Sequence, residues 1–135
     1  MPKTWRHRFN IEKMNDEKRI VFGWALVAFD KDGNQIVDHQ KDLVDEADLE
    51  EMAYRFVLHY REGGEMHIKG GSAVMIESIV FTKEKQQAMG IPDGALPVGW
   101  WIGFYVTDDD AWKGIKSGMY KAFSIEGTAI REEVK

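Results

Sequence analysis

The sequence contains no cysteine and only three prolines among its 135 residues. Without cysteine the chain cannot form disulfides, thiolate zinc sites or iron–sulfur clusters, and it has no cysteine nucleophile. No run approaches the roughly 18 consecutive apolar residues of a membrane-spanning helix. The N-terminal residues lack the apolar core of a signal peptide, which argues against export. The net charge of −5 disfavours duplex nucleic acid as the main partner.

Cofactor motifs are also missing. The glycines form neither a GxGxxG pattern nor a phosphate-binding Walker loop, and no HExxH zinc motif occurs. Asp38, His39 and Asp42 are close in sequence but lack the spacing of a metal-binding motif. We therefore expect neither a nucleotide cofactor nor a metal. The aromatic run at 100–105 has no interleaved lysine or arginine, so it fits a protein core better than a surface that stacks bases.

The residues that are present indicate one folded domain over residues 1–135. Hydrophobic residues make up 44% of the chain, enough for a core of its own. Apolar runs and alternating patterns predict strands, at residues 4–14, 19–29, 72–82, 98–106 and 119–131. We expect the first two strands to form a hairpin. Gly99 and Gly103 share one face of their strand, which favours a curved sheet with close contacts.

Two segments have the pattern of amphipathic helices. Asp45 is the predicted N-cap of the first helix, and the apolar residues after it recur at helical spacing, namely Leu49, Met52, Ala53, Phe56, Val57 and Tyr60. The acidic run at 107–110 predicts the start of a second helix, which ends near Ser117. The segment 83–97 contains two prolines and two glycines and is predicted to be a loop. The order of elements favours an α+β fold with a mostly antiparallel, barrel-like β-sheet flanked by two α-helices.

Three polar residues are candidates for chemistry. Ser124 lies in the last predicted strand beside small neighbours, although an ordinary strand serine has the same pattern. His67 lies between two glycine pairs just before a strand, where it is either a catalytic group or a turn histidine. Glu77 occurs in a strand that is apolar on both faces, so we expect it to be buried with a partner or to lie at an opening. A functional carboxylate and a structural ion pair both explain it.

Three parts of the sequence occur in a specific order: His67 followed by the Glu-Ser pair at 77–78, VTDDDAWKGIKSG at 106–118, and FSIEG at 123–127. With the segments around them, over residues 19–130, this order resembles that of the XkdF-type phage serine proteases. These are similar to the caudoviral prohead proteases, which share a fold with herpesvirus assemblins.

The resemblance implies a serine endopeptidase in which Ser124 is the nucleophile and His67 the general base. Herpesvirus enzymes complete the site with a second histidine downstream of the serine, but no histidine follows His67 here. Glu77 is the first choice for the third member and Glu126 the second. Backbone N–H groups at 63–71 or 99–103, or more remotely Arg131, are the candidate donors to the oxyanion.

The resemblance also implies a role in head maturation. Such a protease acts inside the procapsid, in the host cytoplasm, and cleaves segments of scaffold or capsid protein. We expect no cofactor, no nucleic-acid partner and no membrane partner. Related enzymes dimerise, and Trp112 is either a homodimer contact or a core residue. Relatives often carry a helical scaffolding extension, so the chain is either an isolated domain or a piece of a longer protein. The alternative function is a non-catalytic, capsid-associated binding module in which Ser124 and His67 do not meet.

Overall fold

The computed structural model describes residues 2–36, 43–59, 73–119 and 122–130. Within these ranges the chain forms six strands and three helices. The strands are β1 (Pro2–Asn10), β2 (Lys13–Asn15), β3 (Ile20–Phe29), β4 (Ala73–Phe81), β5 (Val98–Val106) and β6 (Ala122–Ile130). The helices are α1 (Glu46–His59), α2 (Lys83–Ala88) and α3 (Asp109–Lys116). No helix in the described ranges is long and apolar enough to cross a membrane.

The strands form two antiparallel sheets. The larger has the order β2–β3–β5–β4, and the smaller pairs β1 with β6. The α+β class and the antiparallel pairing are therefore confirmed, but the barrel-like sheet is wrong. A closed barrel needs a ladder between every pair of neighbouring strands. Within the described residues β1 lies close to β3 without pairing to it, so the larger sheet stays open.

The predicted N-terminal hairpin is correct only for its short inner part. β2 pairs with β3 through three residues, from Lys13↔Phe22 to Asn15↔Ile20. β1 pairs with the last strand, β6. The period of two in residues 4–14 identifies extended chain, but it carries no information about which strand becomes the partner.

Gly99 and Gly103 let aromatic rings lie against the middle of the larger sheet. A Cβ on Gly99 would lie 2.9 Å from the backbone oxygen of Leu26 and from Cε3 of Trp24. A Cβ on Gly103 would lie 2.9 Å from the ring of Phe22. The predicted close approach at these glycines is confirmed, and the neighbouring strand β3 contains two irregularities in its register with β5.

The core lies between α1 and one face of the larger sheet. Trp100, Ile102 and Phe104, at alternate positions of β5, are fully buried. Phe56 of α1 packs edge-on against Trp100, with ring centroids 5.5 Å apart. The predicted face of α1 is confirmed up to Val57, while Tyr60 lies outside the described residues. Asp45 is confirmed as the cap, because its Oδ1 accepts a hydrogen bond from Asp48 N at 2.8 Å.

Helix α2 corrects the predicted loop over residues 83–97. Thr82 caps this helix through a hydrogen bond from Lys85 N to its Oγ1. The buried Gln86 donates from Nε2 to the carbonyl oxygens of Phe81 and Pro97, both at 3.1 Å. These bonds fix α2 against the ends of β4 and β5. The prediction failed because the prolines and glycines all lie after Ala88, in the second half of the segment.

Helix α3 agrees with its prediction. Asp108 caps it, with Oδ2 accepting from Ala111 N at 2.7 Å, and Gly118 follows its end with φ +80°. Trp112 is only 7% exposed, so of its two predicted roles the structure supports the core position.

Candidate active site

Ser124 lies on β6, which pairs with β1 along its whole length. The ladder runs from Pro2↔Ile130 to Asn10↔Ala122 without a register shift and places Arg8 directly opposite Ser124. The predicted strand around Ser124 is therefore confirmed, with its bounds shortened to Ala122–Ile130. His67 lies outside the described residues, as do Asp38, His39 and Asp42. The pairing of Ser124 with His67 remains a prediction.

Glu77 lies on β4, an edge strand of the larger sheet, opposite Gly103. Its side chain is exposed, so of the two predicted environments the structure supports the one that reaches solvent, although the strand is not buried on both faces as predicted. The cause is an irregularity in the β4–β5 register between Met75 and Glu77. An extra residue at such a point inverts the alternation of side chains. Met75 therefore faces the core while Glu77, two residues later, lies on the opposite face.

Glu77 makes no ion pair with the residues whose side chains the structure describes, at 11–36, 43–58 and 73–119. The ion pairs within those ranges involve other carboxylates. An exposed carboxylate without a local cation can accept a hydrogen bond from an imidazole. This is the property required of the third member of a serine–histidine site.

Glu126 lies two residues after Ser124 on β6, and the register places Arg6 directly opposite it. Glu77 remains the first predicted choice for the third member and Glu126 the second.

Residues 99–103 are poorly placed to bind an oxyanion. They lie in β5, which is paired on both sides, with β3 and with β4. Backbone N–H groups in a central strand are used by its two ladders. The other candidate donors, residues 63–71 and Arg131, lie outside the described residues.

Ser78, next to Glu77, has a structural role. Its Oγ accepts a hydrogen bond of 2.9 Å from Nε1 of the buried Trp100. A buried indole N–H needs such a partner. The Glu-Ser pair at 77–78 therefore combines an exposed carboxylate with a serine whose hydroxyl accepts a hydrogen bond from a core tryptophan.

A charged cluster that sequence reasoning missed joins α1 to α2. The hydroxyl of Tyr54 donates to Oε2 of Glu50 at 2.6 Å, and Lys85 Nζ lies 2.8 Å from that hydroxyl and 3.1 Å from Oε2. The hydrogen bonds from Tyr54 and Lys85 hold the pKa of Glu50 below its ordinary value of 4.5. The i, i+4 spacing of Glu50 and Tyr54 was visible in the sequence, but the contribution of Lys85 depends on the unpredicted helix α2.

A second ion pair connects the β2–β3 turn to α3. Arg19 Nη1 lies 2.7 Å from Oδ1 of Asp109, and the guanidinium lies over the ring of Trp112 at 5.9 Å. The bond from Arg19 holds the pKa of Asp109 below its ordinary value. The backbone oxygen of Arg19 also accepts a hydrogen bond from Val106 N at 2.9 Å. Asp109 and Trp112 of the VTDDDAWKGIKSG segment therefore have structural roles in these contacts.

Comparison with known proteins identifies the family to which this chain belongs. The chain belongs to the phage family described as "Putative phage serine protease XkdF", whose model matches residues 8–133. It is 27% identical over 115 residues to the Phage-like element PBSX protein XkdF of Bacillus subtilis strain 168. That alignment covers 84% of this chain and 38% of the relative, so the chain spans well under half of the relative's length. No solved structure gives a significant match. The predicted family is confirmed.

Proposed function

We propose that this chain is a serine endopeptidase domain that acts in phage head maturation. Its substrates are segments of scaffold or capsid protein, and it acts within the procapsid in the host cytoplasm. The observation that carries the proposal is the match to the phage serine protease family across residues 8–133. The match includes Ser124 and its strand, together with His67, Glu77 and Glu126.

The proposed mechanism passes through an acyl-enzyme. His67 accepts the proton of Ser124 as Oγ bonds to the carbonyl carbon of the scissile peptide, and the carbonyl electrons move to its oxygen. The product of this addition is a tetrahedral intermediate. When it collapses, its C–N bond breaks and the leaving amine takes the proton from His67. Water then attacks the ester by the same route and releases Ser124. Glu77 orients His67 and stabilises its charged form, with Glu126 as the alternative.

The substrate is proposed to bind as an extended peptide along a sheet edge. β4 has a ladder on one side only within the described residues, and it carries Glu77. An extended peptide can add to such an edge through main-chain hydrogen bonds. This arrangement brings the substrate beside the proposed third member of the site.

The test is covalent labelling with a fluorophosphonate, followed by intact-mass spectrometry and peptide mapping. We expect one adduct, on Ser124, that is absent from Ser124→Ala and from His67→Ala. Ser117→Ala is the matched control, because Ser117 is an exposed serine at the end of α3 and its loss should leave labelling intact. Incubation with phage scaffold and capsid proteins should then give cleavage that Ser124→Ala lacks. No adduct on the folded protein would favour the non-catalytic binding module.

A further inference from the structure

The larger sheet has an apolar face that is partly open to solvent. It is the face opposite α1, and we call it the outer face; β5 contributes Trp101 and Tyr105 to it. Trp24 of β3 packs there against Trp101 and Phe81, with ring centroids 5.1 and 5.8 Å away. Val74 lies directly opposite Tyr105, and the two side chains are 38% and 41% exposed. Contiguous apolar surface that remains exposed is typical of an interaction site.

One row of residues across the outer face has opposite charges at its two ends. Lys13 of β2 lies opposite Phe22 of β3. Phe22 lies opposite Gly103 of β5, which in turn lies opposite Glu77 of β4. A Cβ on Gly103 would lie 2.9 Å from the Phe22 ring and 3.4 Å from Cβ of Glu77, so these side chains share one side of the sheet. At a strand spacing of about 4.8 Å, the charged ends of the row are about 14 Å apart.

Both charged ends are open to a partner. Lys13 and Glu77 are exposed, and neither forms an ion pair with a residue whose side chain the structure describes. Between them the row contains only the Phe22 ring and a glycine. A partner that fits this row therefore has a carboxylate and a cation about 14 Å apart, separated by apolar surface.

A second copy of the same face has that arrangement. Consider a two-fold axis that lies between two facing sheets, parallel to the strands and midway between β3 and β5. This axis places β2 of one copy over β4 of the other, so Lys13 of each subunit meets Glu77 of the partner subunit. The apolar middles then stack as two aligned sheets about 10 Å apart. An axis through the row and perpendicular to the strands would bring like charges together instead, so the charges select the first arrangement.

We propose that the outer face binds a second copy of this chain and that the homodimer contains two Lys13–Glu77 ion pairs between subunits. The face is about 14–19 Å wide and about 23 Å long, which gives a footprint on the order of 400 Å² per copy. Stable interfaces use about 800 Å² per partner, so we expect a weak dimer, with a dissociation constant no tighter than about 1 μM. A carboxylate can accept hydrogen bonds from two partners, so this contact is compatible with the proposed contact between Glu77 and His67.

The test measures self-association by sedimentation velocity between about 1 μM and about 1 mM protein. The wild type should dimerise reversibly in this range. Lys13→Glu and Glu77→Lys should each weaken the dimer about 10-fold or more, because symmetry introduces two like-charge contacts in each case. The double variant should return to within about threefold of the wild type. Lys18→Glu and Glu84→Lys are the matched controls, since they make the same charge changes at exposed positions in the β2–β3 turn and in α2, and they should also stay within about threefold.

Carbodiimide cross-linking tests the geometry directly. In a mixture of isotopically labelled and unlabelled wild-type chains, we expect an amide bond between Lys13 and Glu77 in peptides that combine one labelled and one unlabelled chain. This measurement decides the question if a charge-reversal variant does not fold, which circular dichroism would reveal.

The outcomes are independent of the protease function, because no measurement depends on labelling of Ser124. A chain that stays monomeric up to about 1 mM would overturn the proposal and leave the outer face to a different protein. Dimerisation that both single variants leave unchanged would overturn it as well, since the interface would lie elsewhere. Single variants that weaken the dimer without recovery in the double variant would refute the two-fold arrangement.

Discussion

The two glycines of β5 should respond differently to the addition of one methyl group. Gly103→Ala would place its Cβ 2.9 Å from the Phe22 ring, which is half-buried and able to shift. Gly99→Ala would meet both the Trp24 ring and the backbone oxygen of Leu26 at 2.9 Å. A strand backbone oxygen cannot move aside without disturbing its ladder. Since overpacking costs typically 1–3 kcal/mol, we expect Gly103→Ala near the lower end of that range and Gly99→Ala near the upper end.

Denaturant unfolding of single and double variants tests this reasoning. In a Phe22→Ala background, Gly103→Ala should cost nothing or stabilise the strand by about 0.5 kcal/mol, because alanine is the better strand residue once the ring is gone. In a Trp24→Ala background, Gly99→Ala should still destabilise, because the contact with Leu26 remains. The argument is refuted if Gly99→Ala unfolds at the wild-type denaturant concentration. It is also refuted if Gly103→Ala is equally costly with and without the Phe22 ring.

Two further predictions concern polar contacts. Ser78→Ala removes the hydroxyl that accepts a hydrogen bond from the indole N–H of Trp100 and should lower the free energy of unfolding by about 1–3 kcal/mol. A Trp100→Phe background should remove most of that loss, and an undiminished loss would contradict the assignment. Glu50→Gln should destabilise the protein at neutral pH. The hydrogen bonds that lower the pKa of Glu50 favour its ionised form in the folded protein, and they therefore stabilise the fold above pH 4.5. The difference from wild type should shrink as the pH falls below 4.5 and Glu50 becomes protonated; chemical unfolding that shows a constant difference would exclude this contribution.

Much of the fold could be predicted because its signals are local. The cap at Asp45, the buried face of α1 and the acidic start of α3 each depend on neighbours within a few residues. The pairing of β1 with β6 could not be predicted in this way, since it joins opposite ends of the described chain. Helix α2 was missed because the prolines and glycines after Ala88 led to a loop prediction for the whole of residues 83–97.

Only part of the candidate site could be predicted from the sequence. Ser124 was placed correctly on a strand, and the family was recognised from the order of short segments. The sequence left the environment of Glu77 open between burial and solvent, because one irregular residue in β4 reverses the face on which it lies. The partner of the strand that carries Ser124 follows only from the pairing of two strands that are remote in sequence.

The ladder between β1 and β6 also affects when the proposed nucleophile can become competent. The larger sheet uses only residues 13–106, so it can be complete before β6 has been synthesised. The strand that carries Ser124 then has to pair with residues 2–10, which makes it the most non-local pairing in the described fold. A protein folding in this order keeps its serine strand unassembled until residues 122–130 have been synthesised. If residues 2–10 were detached from β6, that strand would lose its backbone hydrogen-bond partner, while the strands of the larger sheet would keep their own pairings.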